Sequence, residues 1–535
     1  MLGREPLINS AKRRFLATSA GALSTTLVAC QSGIMGRLAR QTTMQPTPYG
    51  YSTATRLNVS ASVVDPVSGQ SAYTLGARHN PTLVWQRGAR VSGRLHNRLP
   101  QPTSLHWHGL HVPAAMDGDG SVPVPPNAHT DFDFTVTNPS GLYWYHAHPH
   151  YLTAEQVYHG LAGLIVVQDD EDRAVSAALG VALGQEDLAL KLQDVSLLGA
   201  QWLPFRARGK LTEAARLGTH VSVNDAIRPT FHAAPGWIRL RLLNASAARG
   251  LCLVLQGDAG QPQPLHLLGT DGGLLAAPVV CEQLFLYPGE RVDVAVYLPV
   301  GSGANASWRM MSDEFDPRRF AEGAAATGND VAHQTGNTWP SLGGDSLCLS
   351  EPPAGAPDGA RVPLFGLTTT HAPPRAGALP RALSSAPAAS NSSPDAPADR
   401  RFTLGMSSSG QWLINEQLGD TSLAPFRVKN GASEVWDFQN SPISVPHPLH
   451  LHGFSFEVLS RRGLYGPAKV LATHSASRVA TDLGRKDTIT VWPGERVRIR
   501  TNFTHHFSGA QRYLLHCHNL DHEDAMMMLP FEVSA

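Results

Sequence analysis

Ten histidines and one cysteine fall in four short clusters, His106-Trp-His108, His146-Ala-His148, His447-Pro-Leu-His450-Leu-His452 and His516-Cys517-His518-Asn-Leu-Asp-His522. Successive side chains of a strand point to opposite faces, so each His-x-His pair presents two imidazoles on one side, able to converge on shared metal. Cys517 sits between two histidines and must face the other way. His447 lies an odd number of residues from His450, so on an extended segment it too faces away from the His450/His452 side. Strand alternation therefore predicts two metal sites placed back to back.

The far-side set is Cys517, His447, His522 and Met527. One thiolate, two imidazoles and a weak thioether are the ligands of a trigonal blue-copper electron-transfer centre. The near-side set is His106, His108, His146, His148, His450, His452, His516 and His518, with no thiolate. Imidazole suits copper, zinc, iron and nickel, so ligand type alone does not name this second metal; the thiolate site next door argues for copper in both. Cys517 is bracketed by two members of the second set, which gives a through-bond electron path. His111, His129, His150, His159, His505 and His506 stand outside the pattern and are read as ordinary hydrogen-bonded or solvent-facing histidines.

The four clusters resemble the copper motifs of the three-domain multicopper oxidases. The run His516 to Met528, HCHNLDHEDAMMM, is similar to that of bacterial copper-efflux oxidases, spore-coat laccases and bilirubin oxidases. The resemblance extends over most of the chain after residue 50 and implies four copper ions. By it His447, Cys517 and His522 would ligate a type 1 copper with Met527 axial, and His106 and His450 a type 2 copper. His108, His146, His148, His452, His516 and His518 would hold a type 3 pair. Every ligand position of the pattern is filled; Met526 departs from it, standing where relatives often have glycine. Asp117, in a Met-Asp-Gly-Asp-Gly loop, and Glu523, directly after His522, fall where relatives carry acids that orient cluster water and relay protons; buried carboxylates commonly hold imidazole ligands in place.

The elements that must position these residues are short strands punctuated by Gly, Pro and Asn, which argue all-β architecture built of β-sandwiches. A weak internal repeat supports duplicated domains. Gly88 to Asn97, Gly236 to Asn244 and Gly431 to Asn440 each run from a turn glycine through an alternating stretch to asparagine, and Tyr287-Pro-Gly-Glu290 is echoed by Trp492-Pro-Gly-Glu495. Repeats this widely spaced imply domains, since solenoid units recur every ~20 to 50 residues. The resemblance makes them three cupredoxin-like Greek-key sandwiches, expected at residues 51–172, 173–370 and 402–535. Between the last two, residues 371–401 are so rich in Ala, Pro and Ser that they read as a flexible linker unable to bury a core. The ligands come from the first and last domains, so the second site should lie at their interface, with the middle domain acting as a spacer.

With 535 residues, 42% hydrophobic and 16% charged, the chain is long enough for more than one core. Lys+Arg and Asp+Glu balance at 43 each, so no net field points to nucleic acid or an anionic membrane as partner. Residues 1–50 read as an export signal and polar tether. Lys12-Arg13-Arg14-Phe15-Leu16 precedes a mildly apolar run, Ala17 to Ala29, too short and polar to span a bilayer, and resembles a twin-arginine signal. Leu27-Val28-Ala29-Cys30 resembles a lipobox; cleavage nearby to give a soluble periplasmic protein is the alternative. The expected protein is a monomer of the periplasm or cell envelope, touching membrane only through a lipid on Cys30. Cys252, Cys281 and Cys348 could hold one disulfide or remain three buried thiols.

The expected function is an oxidase that takes electrons singly from a small reducing substrate at the type 1 copper and reduces dioxygen to water at the trinuclear site. Substrate need only dock near an exposed edge of His447 or His522. Copper-efflux oxidases bind cuprous ion with an Asp and a Met shortly before the first type 1 histidine, whereas Ser441-Pro-Ile-Ser-Val-Pro446 has neither. Phenols or aromatic amines are therefore the first choice of donor and metal ions the alternative. A copper-free structural or cell-division paralogue is a rival from another class, disfavoured by the intact ligands, as are two-domain nitrite reductases, whose catalytic copper does not require eight paired histidines.

Overall fold

The computed structural model describes residues 50–534 apart from 67–68, 199–200, 204, 206–216, 258–259, 301–306, 318–357, 386–392, 421–423 and 464–470. The export signal, Cys30 and Cys348 lie outside the described residues.

The three repeats become the same element three times. Arg90–Asn97, Gly236–Asn244 and Ser433–Asn440 are strands, each paired in parallel with an upstream strand, Arg56–Asp65, Asp187–Val195 or Arg400–Met406. Each is paired antiparallel on its other edge, with His129–Thr135, Arg291–Leu298 or Arg496–Asn502. The closing asparagine has a physical task in every copy. Asn97 Nδ2 donates to the carbonyls of Gln101 and Val124, Asn244 Nδ2 to those of Arg249 and Leu286, and Asn440 Nδ2 to those of Val445 and Val491. A buried amide thus ties the strand end to two loops whose carbonyls would otherwise lack partners. The Pro-Gly-Glu turns repeat a second device, with Glu290 and Glu495 accepting from the backbone N–H of Tyr287 and Trp492.

Around these elements fold three cupredoxin-like sandwiches. Sheets of four and five strands form the first, seven and six the second, and six and five the third. Each has its own apolar core. A further cluster joins all three, packing Trp144 and Leu164 of the first against Leu243 and Ala189 of the second and Leu520 of the third. Among the described residues no helix is long and apolar enough to cross a membrane. Cys252 and Cys281 are free thiols, held protonated by burial at about 12 and about 11.

The segment read as a free linker behaves differently where it is described. From 371 to 385 it is a strap bound to the second sandwich: the N–H groups of Arg375, Ala378 and Leu383 donate to the carbonyls of Pro235, Ala178 and Ala276. Leu383 is buried in the second core. Side chains add to these bonds, Arg375 donating to the Gly180 and Trp237 carbonyls and Ser384 to that of Leu275, while Leu379 packs beside Leu383; composition misses this because few large apolar residues are needed. A Cβ on Gly377 would come within 2.2 Å of the Leu179 carbonyl, so only glycine permits the approach. Burying a leucine contributes about 1.5–3 kcal/mol. Leu383→Asp should therefore release the strap, and limited proteolysis should cut within 371–385 in the variant but not in the parent; equal resistance of both would contradict the attachment.

Candidate metal centre

The strand Gln511–Cys517 lies between His447–Leu451 and Met528–Ser534, and its register with the former pairs His450 with His516 and Leu449 with Cys517. Cross-strand partners share a face, so the imidazole pair lies on one side of the sheet and the cysteine on the other. On the inner side Cys517 sits in the core of the third sandwich. Its Sγ is 3.5 Å from His447 Nδ1 and 3.6 Å from His522 Nδ1, and the three residues form one candidate ligand group. Met527 is fully buried in the same core; its carbonyl accepts from the Cys517 N–H and its own N–H donates to His522. Burial pushes the Cys517 thiol well up and lowers His447 to about 3. Met526 has φ of 66°, the left-handed region, which is the physical reason glycine suits this position.

On the outer side all eight remaining histidines converge, none more than 1% exposed. His106 and His146 are bridged through their backbones. His516 Nε2 lies 3.0 Å from His452 Nε2 and 3.4 Å from His148 Nε2. His108 stacks on His450 at 3.7 Å between centroids and His106 on His452 at 4.1 Å. Candidate ligand groups form from His106, His108 and His146, from His106, His450 and His452, and from His148, His452 and His516. His518 falls in none of these groups; its ring is 4.9 Å from that of His108 and 5.4 Å from that of His146.

Hydrogen bonds fix the tautomers. A carbonyl only accepts, so the Nδ1–H groups of His106, His146 and His450 donate to the carbonyls of Asp117, Ala147 and Asp487 at 2.8, 2.9 and 2.9 Å. Their Nε2 atoms are then bare lone pairs, and all three lack a hydrogen-bond partner among the described residues. His108 Nδ1, His148 Nδ1 and both ring nitrogens of His518 are likewise unpartnered. Leaving one buried polar atom unsatisfied costs about 1–3 kcal/mol. Lone pairs collected in a dry pocket fit bound cations, and the donor set, nitrogen without thiolate on one side and thiolate with two imidazoles on the other, fits copper.

Both sequence-selected acids are here and buried. Asp117 Oδ2 accepts from His452 Nδ1 at 2.6 Å and lies 3.6 Å from His106 Nδ1. Glu523 places its oxygens 3.4 Å from His148 Nε2 and 3.2 Å from His516 Nδ1. Burial raises both carboxyls above the usual range. Asp524, which the sequence reading passed over, accepts from the N–H groups of Thr153 and Ala154 at 2.9 and 3.0 Å, pinning the Glu523 turn to the first sandwich.

The sequence reading also missed Asp487 and Arg291, and they correct the expectation that the middle domain is a spacer. Asp487 Oδ1 lies 3.2 Å from His108 Nε2 and 3.5 Å from His450 Nδ1. Arg291, on the middle-domain strand Arg291–Leu298, holds it by both oxygens at 2.6 Å. Its remaining N–H groups donate to the carbonyls of Leu142, Gly289 and Asp271, so one guanidinium touches all three sandwiches. Gly289 lies against the cluster, where a Cβ would be 3.0 Å from His518 and 3.3 Å from His108. The signal available in sequence was the Tyr287-Pro-Gly-Glu-Arg291 turn, which reads as structure alone. The other correction concerns access: His447 is 0% and His522 1% exposed, so neither presents an edge to solvent.

Comparison with known proteins agrees with this geometry. Multicopper oxidase family profiles match residues 60–172 and 391–535. A multicopper oxidase of Staphylococcus haemolyticus is 27% identical, covering 86% of this chain and 84% of its own. The cell division protein FtsP of Xenorhabdus nematophila is 30% identical over 82% of this chain and 78% of its own. The crystal structure of the McoA multicopper oxidase of Aquifex aeolicus superposes with a TM-score of 0.74 at 26% identity, covering 91% and 98% of the two chains. Three cupredoxin sandwiches around a buried histidine cluster define a copper oxidoreductase. The chain belongs to the multicopper oxidase family.

Lysine keeps the charge of Arg291 but not the fork that satisfies two carboxylate oxygens and three carbonyls. Arg291→Lys should lower copper bound per chain and the thermal midpoint while leaving the thiolate-to-copper absorption in place, read by metal analysis, calorimetry and optical spectra. Full copper content with parental stability would show that Arg291 does not organise the cluster.

Proposed function

We propose that the chain oxidises small aromatic donors, phenols or aromatic amines, one electron at a time and reduces dioxygen to water. The observation that carries this reading is the pair of buried donor sets sharing one strand, a thiolate set on the inner face and unpartnered imidazole nitrogens on the outer. His447, Cys517, His522 and Met527 would hold a type 1 copper, His106 and His450 a type 2 copper, and His108, His146, His148, His452, His516 and His518 a type 3 pair, four ions in all. Copper bound there supplies one-electron oxidation at the thiolate site and the four-electron reduction of dioxygen at the cluster. The protein's share is arrangement: Cys517 and its flanking residues connect the two faces covalently, and carbonyl acceptors fix which imidazole nitrogen points inward. Asp117 and Glu523, raised toward protonation by burial, stand where the four protons of water formation are needed.

The stretch before His447 supports an aromatic donor over a metal ion. Ser444 Oγ meets His447 Nε2 at 2.9 Å and Ile443 stands 82% exposed, so the stretch directly before His447 offers a hydroxyl and an aliphatic chain and neither an acid nor a thioether. Oxidation of cuprous or other metal ions is the second reading. One relative is a cell division protein, FtsP, and the complete ligand set favours a copper enzyme over a structural paralogue. The reading extends to an exported monomer of the cell envelope, carried by the twin-arginine-like signal.

Steady-state rates on a dimethoxyphenol, with and without added copper, and on cuprous ion test the choice. Phenol turnover by the fully loaded protein should not require added copper; a phenol rate wholly dependent on it would move the assignment to metal-ion oxidation. Glu523→Gln should keep full copper content and lose about a hundredfold or more in oxygen-reduction turnover, the scale of general acid catalysis. Unchanged turnover would remove the relay role.

A further inference from the structure

Both imidazoles of the thiolate site are sealed from solvent, which leaves open where donor electrons enter. One side chain closes that end of the third sandwich over both of them. Trp412 lies on the edge strand Trp412–Ile414, which pairs antiparallel with Arg400–Met406. Phe402, Leu404 and Met406 share a face by alternation; the first two enter the core, and Met406 pairs with Trp412 at the open end. The Trp412 indole packs 5.0 Å from the His447 ring and 4.6 Å from the His522 ring, centroid to centroid. It is 4% exposed, and its Nε1–H finds no acceptor among the described residues.

Beyond the indole, exposed apolar side chains stand among exposed polar ones such as Glu416 and Gln417. Met406, Leu418 and Ile443 are three of the ten exposed large apolar side chains among the described residues. Each is one step from the site: Met406 opposite Trp412, Ile443 beside the Ser444 that meets His447, and Leu418 beside Gly419, whose N–H donates to Met526. Scattered singly such residues need no explanation, whereas grouped around a capped redox site they form a surface for an apolar donor.

Resting on the oxidase reading above, we propose that the donor docks on this patch against Trp412 and that its electron reaches the thiolate site through the indole, making Trp412 the donor contact and a determinant of donor specificity. The donor loses one electron, its phenolic proton passes to solvent, the thiolate site gains the electron, and the indole is left unchanged. The route follows from contact, because electron transfer weakens steeply with separation and this ring touches both ligands.

Two measurements test this on the full-length protein. In the copper-loaded form, anaerobic reduction of the thiolate-to-copper absorption by 2,6-dimethoxyphenol should slow at least tenfold in Trp412→Val and stay within threefold of the parent in Trp412→Phe. In the copper-free form, titration with 1,2,3-trimethoxybenzene should shift the Trp412 indole N–H resonance, assigned by its loss in Trp412→Phe; this reading stands even if Trp412→Val loads copper poorly. Reduction of Trp412→Val at the parental rate or faster would overturn the proposal, as would an indole resonance that stays fixed while others move. A parent that oxidises the phenol normally beside an equally active Trp412→Val defeats the indole route alone; a parent with no thiolate-to-copper absorption defeats the oxidase reading and this proposal together.

Discussion

The structure depends on one constraint: eight imidazoles are buried together, and six of them keep a ring nitrogen with no hydrogen-bond partner among the described residues. Neutral imidazole has one N–H and one lone pair. Backbone carbonyls of Asp117, Ala147 and Asp487 take the N–H of His106, His146 and His450, and so turn the lone pairs toward the shared space. Such a pocket stores unfavourable free energy until cations fill it. The surrounding fold is correspondingly over-determined, with three sandwiches meeting at a common apolar cluster and one arginine bonding to all three. A buried ion pair such as Arg291 with Asp487 adds little net stability but is costly to break, which suits a group whose task is registration.

A second consequence follows from the two-residue period of the strand. Neighbours in Gln511–Cys517 belong to different donor sets, so the distance between the thiolate set and the histidine cluster is set by covalent geometry. The inner site needs only the third sandwich; the outer one exists only when the first closes on it. That division matches their surroundings, Cys517 in a domain core and the histidines at an interface.

Much of this was legible in sequence because chemistry-bearing residues sat close together along the chain. The four clusters gave every histidine, Cys517 gave the opposed facing, and glycine-to-asparagine repeats gave three sandwiches whose asparagines share one bonding role. Asp487, Asp524 and Arg291 were not legible, since each acts on partners distant in sequence, and the motifs around Asp524 and Arg291 point to other residues or to a turn. The strap at 371–385 was hidden because backbone hydrogen bonds leave no compositional trace and the side chains that join them, Arg375, Leu379, Leu383 and Ser384, form no pattern. Sealed imidazole edges were also missed: Trp412 lies 35 residues before His447 and only strand pairing brings it over the ligands.

Two donor sets share one strand, and only one of them is built on Cys517. Replacing Cys517 by serine and measuring copper per chain together with optical and paramagnetic resonance spectra tests it most directly. The account predicts that the thiolate-to-copper absorption disappears while about three copper ions remain bound by imidazole. Loss of all copper, or persistence of that absorption, would contradict it.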